Sequence, residues 1–88
     1  MDIGQAFSMF HVDAIRSAKV IEKLSLGRSV WVVQFEMRKE TQTYITTSLE
    51  TARGEEKIFK SVEAALKDLK TIGFTEVAIR LFSPITSD

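Results

Sequence analysis

The chain has 88 residues, of which 44% are hydrophobic and 27% charged, and its twelve Lys and Arg balance its twelve Asp and Glu. A chain of this length holds one hydrophobic core, so residues 1–88 are expected to form a single domain. The absence of cysteine excludes disulfides and thiolate metal sites, and a net charge of zero argues against a dedicated nucleic-acid binder.

No apolar stretch approaches the roughly 20 residues that a membrane-spanning helix needs. The N-terminus carries Asp2 where a signal peptide would carry basic residues followed by a long apolar run. We therefore expect a cytoplasmic protein that makes no membrane contact. Because so small a core gives a stability of only about 0.05–0.15 kcal/mol per residue, burial of apolar side chains between two copies would help, and we expect a homodimer.

The first 25 residues fit two patterns. A helical stripe runs through Phe7, Phe10, Ala14, Ala18 and Ile21. Short strands with alternating apolar residues fit the same segment equally well. We favour a short helix over residues 2–10 and a strand over 15–24, because the β-rich middle of the chain needs a partner strand. A single helix over residues 5–24 is the alternative.

The middle of the chain is rich in β-formers. Residues 30–38 alternate, with Trp31, Val33, Phe35 and Met37 on one face, and this pattern is typical of a half-buried strand. A turn over residues 26–29 would lead into that strand. Residues 43–50 predict a Thr-rich strand, joined to it by a polar hairpin connection over 39–42. Residues 57–59 could add a brief strand.

The clearest element is a helix over residues 61–72. Ser61 is a good N-cap, an apolar stripe lies on one face, and Gly73 is the expected terminating residue. Phe74 should fold back on Leu69 behind that glycine. A strand over 76–82 follows, and residues 83–88 after it are expected to form a loose tail.

The predicted fold is therefore α+β. It has an antiparallel sheet of four or five strands, and the helix over 61–72 packs on one face of that sheet. A short N-terminal helix completes it.

Few residues suggest chemistry. His11 is the only histidine and Asp13 lies near it, but no nucleophile is marked by its surroundings. Glu55 and Glu56 read as a solvated pair, and a lone Gly54 does not make a phosphate-binding loop. No catalytic residue, metal site, cofactor or small-molecule substrate is predicted, and the chain is expected not to be an enzyme.

Positive charge concentrates in residues 14–39, where six Lys and Arg stand against Glu22 and Glu36. We favour a solvated strand face whose basic side chains protect a sheet edge. The alternative is a DNA- or RNA-binding surface in the basic segment 16–39, supported by an aromatic ring. The candidate binding residues are Arg16, Lys19, Lys23, Arg28, Arg38 and Tyr44, with Arg53 and Lys57 farther along the chain.

The segment "TARGEEKIFKSVEAALKDLKTIGF" resembles small accessory proteins encoded in bacterial plasmid partition and replication regions. The resemblance covers about residues 15–82, and "VWVVQFEM" is similar in character to the aliphatic strand of those proteins. Arg53, Gly54, Phe59 and Ser61 occupy positions that match the pattern of those proteins. It implies a cytoplasmic bacterial protein without known catalysis that acts beside the replication or segregation machinery, and it transfers no established site residues.

The function expected from the sequence is therefore a non-enzymatic accessory module of plasmid maintenance. Exposed sheet edges are ready sites for pairing with another chain. Such a module would act by binding a protein partner or itself, and nucleic-acid binding is the alternative.

Overall fold

A computed structural model of the chain describes residues 1–38 and 45–83. In chain order the elements are α1 (Ile3–His11), β1 (Ile15–Ser25), β2 (Arg28–Met37), β3 (Ile45–Ser48), α2 (Val62–Ile72) and β4 (Ala78–Arg80). The four strands form one sheet in the order β3-β2-β1-β4. The α+β class, a mostly antiparallel sheet with one main helix, and the short N-terminal helix are thereby confirmed.

Helix α1 is short because both of its ends are encoded locally. Asp2 and Gln5 form a capping box, in which each side chain accepts a hydrogen bond from the other residue's backbone N–H. Asp13 then takes a φ of 60°, which ends the helical path. The alternative of one helix over residues 5–24 is wrong, because this break releases the following residues to form β1.

Strands β1 and β2 form a long antiparallel hairpin whose register runs from Ser25 opposite Arg28 to Ile15 opposite Met37. The hairpin turn needs only two residues. Leu26 and Gly27 both have positive φ, 51° and 77°, which is the geometry that matches the right-handed twist of the strands. The turn predicted over residues 26–29 is therefore shorter, since residues 28 and 29 already belong to β2.

The remaining strands are shorter than predicted. Strand β3 pairs antiparallel with β2, and the predicted connection over 39–42 lies outside the described residues. Strand β4 pairs parallel with β1, so the sheet is mixed rather than wholly antiparallel. A crossover helix allows this direction, and α2 is that crossover. Residues 57–59 contribute an isolated bridge between Phe59 and Trp31 instead of a strand.

The core lies between one sheet face and the two helices. Val33 and Phe35 of β2 are buried there, and Trp31 and Met37 pack against the same cluster. The prediction that the helix over 61–72 packs on one face of the sheet is therefore confirmed, and that face carries these residues of β2. The buried members of the core cluster are Ala6, Ile15, Ala18, Val20, Val33, Phe35, Leu49, Phe59, Ala65, Leu69 and Ile72.

The ends of α2 follow the predicted chemistry. The Ser61 hydroxyl accepts a hydrogen bond from the Ala64 amide at 3.2 Å, and the amides of Gly73 and Phe74 both donate to the Leu69 carbonyl. Gly73 has a φ of 132°, a conformation that strains other residues. The helix thus ends at Ile72, and the chain turns there toward β4, which begins at Ala78.

Candidate protein-interaction site

On the sheet face opposite the helices, two of the predicted binding residues are held in ion pairs. Arg16 lies 3.6 Å from Glu36, and Lys23 lies 3.5 Å from Glu56. The second pair joins β1 to the segment after β3, so it crosses over β2. Val32 of β2 lies on this face, outside the core cluster, yet it is only 2% exposed. Both cations are therefore engaged by carboxylates within the fold.

Two further candidates are paired at the margins of the fold. Arg38 follows β2 and lies 3.5 Å from Asp13. Lys57 donates to Asp68 at 2.7 Å and also lies over the Phe59 ring, 5.2 Å from its centroid. The second pair fastens the segment that enters α2 to the helix itself. Folding thus explains the position of Lys57 without a binding role.

The other predicted candidates are scattered. No ion pair within the described residues involves Lys19, Arg28 or Arg53. Lys19 lies on β1, Arg28 at the start of β2, and Arg53 on an exposed turn. Arg28 and Lys60 line one surface pocket of about 550 Å³. Tyr44 lies outside the described residues. The structure therefore does not gather the basic side chains into one unopposed patch.

The turn that carries Arg53 is built by its neighbours. The Gly54 amide donates to the Thr51 carbonyl at 2.9 Å. The Thr51 hydroxyl accepts from the amides of Arg53 and Glu55 at 3.3 and 3.4 Å. Gly54 supplies the positive φ of 85°. These contacts account for the turn, and the Arg53 side chain is exposed at its tip.

A different surface stands out at β4. This strand lies at the end of the sheet, with β1 on one side and no strand among residues 1–38 and 45–83 on the other. All three of its residues are exposed. An edge strand presents unpaired N–H and C=O groups that can pair with another chain. The outer side of β4 is therefore available for strand addition.

Exposed apolar side chains surround that edge. Ile79 is 46% exposed and Leu81 is 67% exposed, and Leu24 and Phe82 are exposed as well. Because Ile79 stands opposite Val20 of the core cluster, its side chain lies on the helix side of the sheet. A groove of about 360 Å³ opens beside the entry to β4, and its apolar lining includes Leu66, Phe74 and Val77. Such a grouping marks an interaction site more often than scattered apolar residues do.

The opposite edge of the sheet is better protected. The Met1 amino group donates to the Ser48 carbonyl at 2.9 Å, and the Glu50 amide donates to the Met1 carbonyl at 2.7 Å. The same amino group lies 2.8 Å from the Glu50 carboxylate. The N-terminus thus covers the end of β3, whose residues after Ile45 are Thr and Ser.

One carboxylate fastens the segment after β4. Glu22 of β1 accepts a hydrogen bond from the Phe82 amide at 2.9 Å. A hydrogen bond with Ser29 and, next, the one from the Phe82 backbone lower the pKa of Glu22, while desolvation opposes them. This hydrogen bond helps to hold β4, which has only three residues paired with β1, in place.

Sequence reasoning missed the exposed residues at this edge. It predicted a strand over 76–82 without indicating that Ile79 and Leu81 would be exposed. The observed strand has three residues in place of the predicted seven, so its shortness, which is typical of an edge strand, was not visible in the sequence.

Other site classes find little support. In the described part of the chain, no group of three or more His, Asp or Glu is arranged to hold a metal ion. None of the described helices has the length and apolar character needed to cross a membrane. No protein-family model, curated protein or solved structure matches the chain.

Proposed function

We propose that the chain is a non-enzymatic protein-binding module that receives a strand from another polypeptide along the open edge of β4. The observation that carries the proposal is the coincidence of an unpaired strand edge with exposed Ile79 and Leu81. In strand addition, main-chain hydrogen bonds supply affinity and pockets for alternate side chains supply specificity. The groove lined by Leu66, Phe74 and Val77 supplies such a pocket.

The proposal needs no catalysis. The one histidine, His11, bonds through Nδ1 to the Phe7 carbonyl at 2.8 Å, and its ring lies 4.1 Å from the Phe7 ring. These contacts occupy the side chain within α1. A general base instead needs a hydrogen bond to the group whose proton it takes.

The proposed setting is plasmid maintenance, with a partner from the partition or replication machinery. It rests on the sequence resemblance over residues 15–82. Three of the matched positions have structural roles here: Gly54 has a positive φ, Phe59 is buried, and Ser61 caps α2. Partition or replication genes beside the gene for this chain would support this setting, and a neighbourhood without them would remove it.

Nucleic-acid binding remains the second candidate, and the pocket beside Arg28 and Lys60 favours it. Against it, Arg16, Lys23 and Arg38 already face carboxylates at 3.6, 3.5 and 3.5 Å. Binding through these cations would weaken steeply as salt rises. A flat salt response, or no binding to DNA or RNA at low salt, would exclude this candidate.

A matched pair of variants tests the strand-addition proposal. Ile79 and Ile45 lie on opposite edge strands and are 46% and 45% exposed. We therefore compare Ile79→Lys with Ile45→Lys, which make the same chemical change at the two edges. The binding partners to be measured are a second copy of the chain and peptides selected from a random displayed library.

The expected result is that Ile79→Lys abolishes binding and Ile45→Lys retains it. Both variants should remain folded, because each side chain is only about half buried. The proposal fails if neither a second copy nor any selected peptide binds. It also fails if the two variants lose binding equally, since the β4 edge would then have no special role.

A further inference from the structure

We propose that the strand which occupies the β4 edge is β4 of a second copy of this chain, paired antiparallel about a two-fold axis through Ala78. This inference rests on the proposed function, because it names the occupant of the same edge. A two-fold interface must be self-complementary, so that each group meets its counterpart twice. The four-stranded sheet of each copy would then continue into a sheet of eight strands.

The charges around Ala78 have the required symmetry. Glu76 lies two residues before Ala78 and Arg80 two residues after it. Antiparallel pairing about Ala78 places Glu76 opposite the partner's Arg80, and Arg80 opposite the partner's Glu76. The proposed pairing extends β4 (Ala78–Arg80) by two residues at its N-terminal end, which places Glu76 on the same face as Arg80. Directly opposed unlike charges stabilise a strand pair. Neither side chain forms an ion pair within residues 1–38 and 45–83 of its own chain.

The apolar residues on the other face agree with the same register. It places Ile79 opposite the partner's Val77, on the helix side of the combined sheet. Leu81, directly after β4, then lies near the partner's groove, whose lining also includes Thr75. Two of the most exposed apolar side chains at this edge would thus be covered by the same contact that pairs the charges.

Neighbouring registers lose the charge pairs. With the two-fold axis through Ile79, Arg80 would stand opposite the partner's Ala78. With the axis through Val77, Glu76 would stand opposite the partner's Ala78. In both cases the charged groups face uncharged residues, so the charge pattern selects the register centred on Ala78.

Charge exchange tests the pairing in solution. Sedimentation equilibrium would compare the wild type with Glu76→Arg, Arg80→Glu and the double variant that carries both changes. Each single change creates two like-charge oppositions, and we expect the dimer dissociation constant to rise by about tenfold or more. The double variant restores both unlike pairs, so its dissociation constant should return to near the wild-type value.

A cysteine placed on the axis tests the register directly. The chain contains no cysteine, so Ala78→Cys introduces a single thiol. In the proposed dimer the two Cβ atoms at position 78 lie about 4.5–5.5 Å apart, close to disulfide range. The control is Thr75→Cys. Position 75 lies three residues before β4, so in this register its two copies stand at opposite ends of the interface, about 20 Å apart for extended chain. Mild oxidation should cross-link Ala78→Cys covalently and leave Thr75→Cys without a cross-link.

The outcomes separate this inference from the proposed function. Loss of association in both single charge variants, rescue in the double variant and selective cross-linking at position 78 support the inference. A wild type that stays at 9.9 kDa at high concentration overturns it, and so does a double variant as weak as the singles. Equal cross-linking of the two cysteine variants also overturns it. If a selected peptide still binds in a manner that requires Ile79, the proposed function survives these failures.

Discussion

Replacement of Gly73 by alanine should be among the most damaging small changes in the chain. Two effects add at this position. The backbone φ of 132° lies outside the region that alanine tolerates, which costs about 1–3 kcal/mol. A Cβ atom would also meet the Phe10 ring at 2.6 Å, and such overpacking costs about 1–3 kcal/mol more. We expect Gly73→Ala to lower the free energy of unfolding by about 2–6 kcal/mol.

The two other positive-φ glycines that lie in turns supply the controls. Gly27 and Gly54 have φ of 77° and 85°, and a Cβ at either would meet no atom within 4 Å. Their alanine variants should therefore show strain alone, about 1–2 kcal/mol. The difference between these variants and Gly73→Ala reports the contact with Phe10 together with any additional strain at a φ of 132°.

Urea unfolding followed by the fluorescence of Trp31 measures these differences. Trp31 is the only tryptophan, and it packs against the core. At a urea m-value of about 2 kcal/mol/M, typical of a small domain, a loss of about 2–6 kcal/mol shifts the midpoint by about 1–3 M urea. A Gly73→Ala variant within about 0.5 kcal/mol of Gly54→Ala would refute the packing of Phe10 on the end of α2.

Three further predictions concern single side chains. Glu22→Gln tests the hydrogen bond that anchors the segment after β4. The pKa of Glu22 is lower in the folded chain than its unfolded value, near 4.5. The stabilisation by this carboxylate is therefore complete above that unfolded pKa and is lost as the pH falls through the folded pKa. The stability difference between wild type and Glu22→Gln should therefore shrink below about pH 4.5 in urea titrations, and a constant difference would contradict it. Arg53→Ala should change the free energy of unfolding by less than about 0.5 kcal/mol, because its side chain is exposed at the tip of a turn; a larger loss would show an unseen structural contact. Ser61→Ala should lower the free energy of unfolding by about 1 kcal/mol, because it removes the hydroxyl that accepts the Ala64 amide hydrogen bond. Its helix content, measured by circular dichroism, should not exceed that of the wild type.

Local signals in the sequence were sufficient for much of the fold. Ser61 and Gly73 mark the ends of α2, because capping depends on residues within one turn of the helix. Alternation in β2 identified the face that packs on the helices. The need for a partner strand correctly favoured a strand over 15–24, although the apolar pattern of that segment was ambiguous.

The same local signals could not predict how segments far apart in the chain are arranged relative to one another. Nothing local indicates that β4 pairs parallel with β1, since the direction depends on where α2 delivers the chain. The partners of Lys23 and Lys57 lie 33 and 11 residues away, so their charges looked available for binding. The exposure of Ile79 likewise depends on sheet order, because an edge strand and a central strand share the same alternation.

Amide hydrogen exchange along the two edge strands tests most directly whether β4 pairs with another chain. Exchange would be followed in β4 (Ala78–Arg80) and, as an internal control, in β3 (Ile45–Ser48). The samples would be dilute protein, concentrated protein, and dilute protein with a selected peptide. We predict that protection in β4 increases in the concentrated sample or with peptide, while β3 stays unchanged. Equal exchange of β4 in all three samples would contradict strand pairing at this edge.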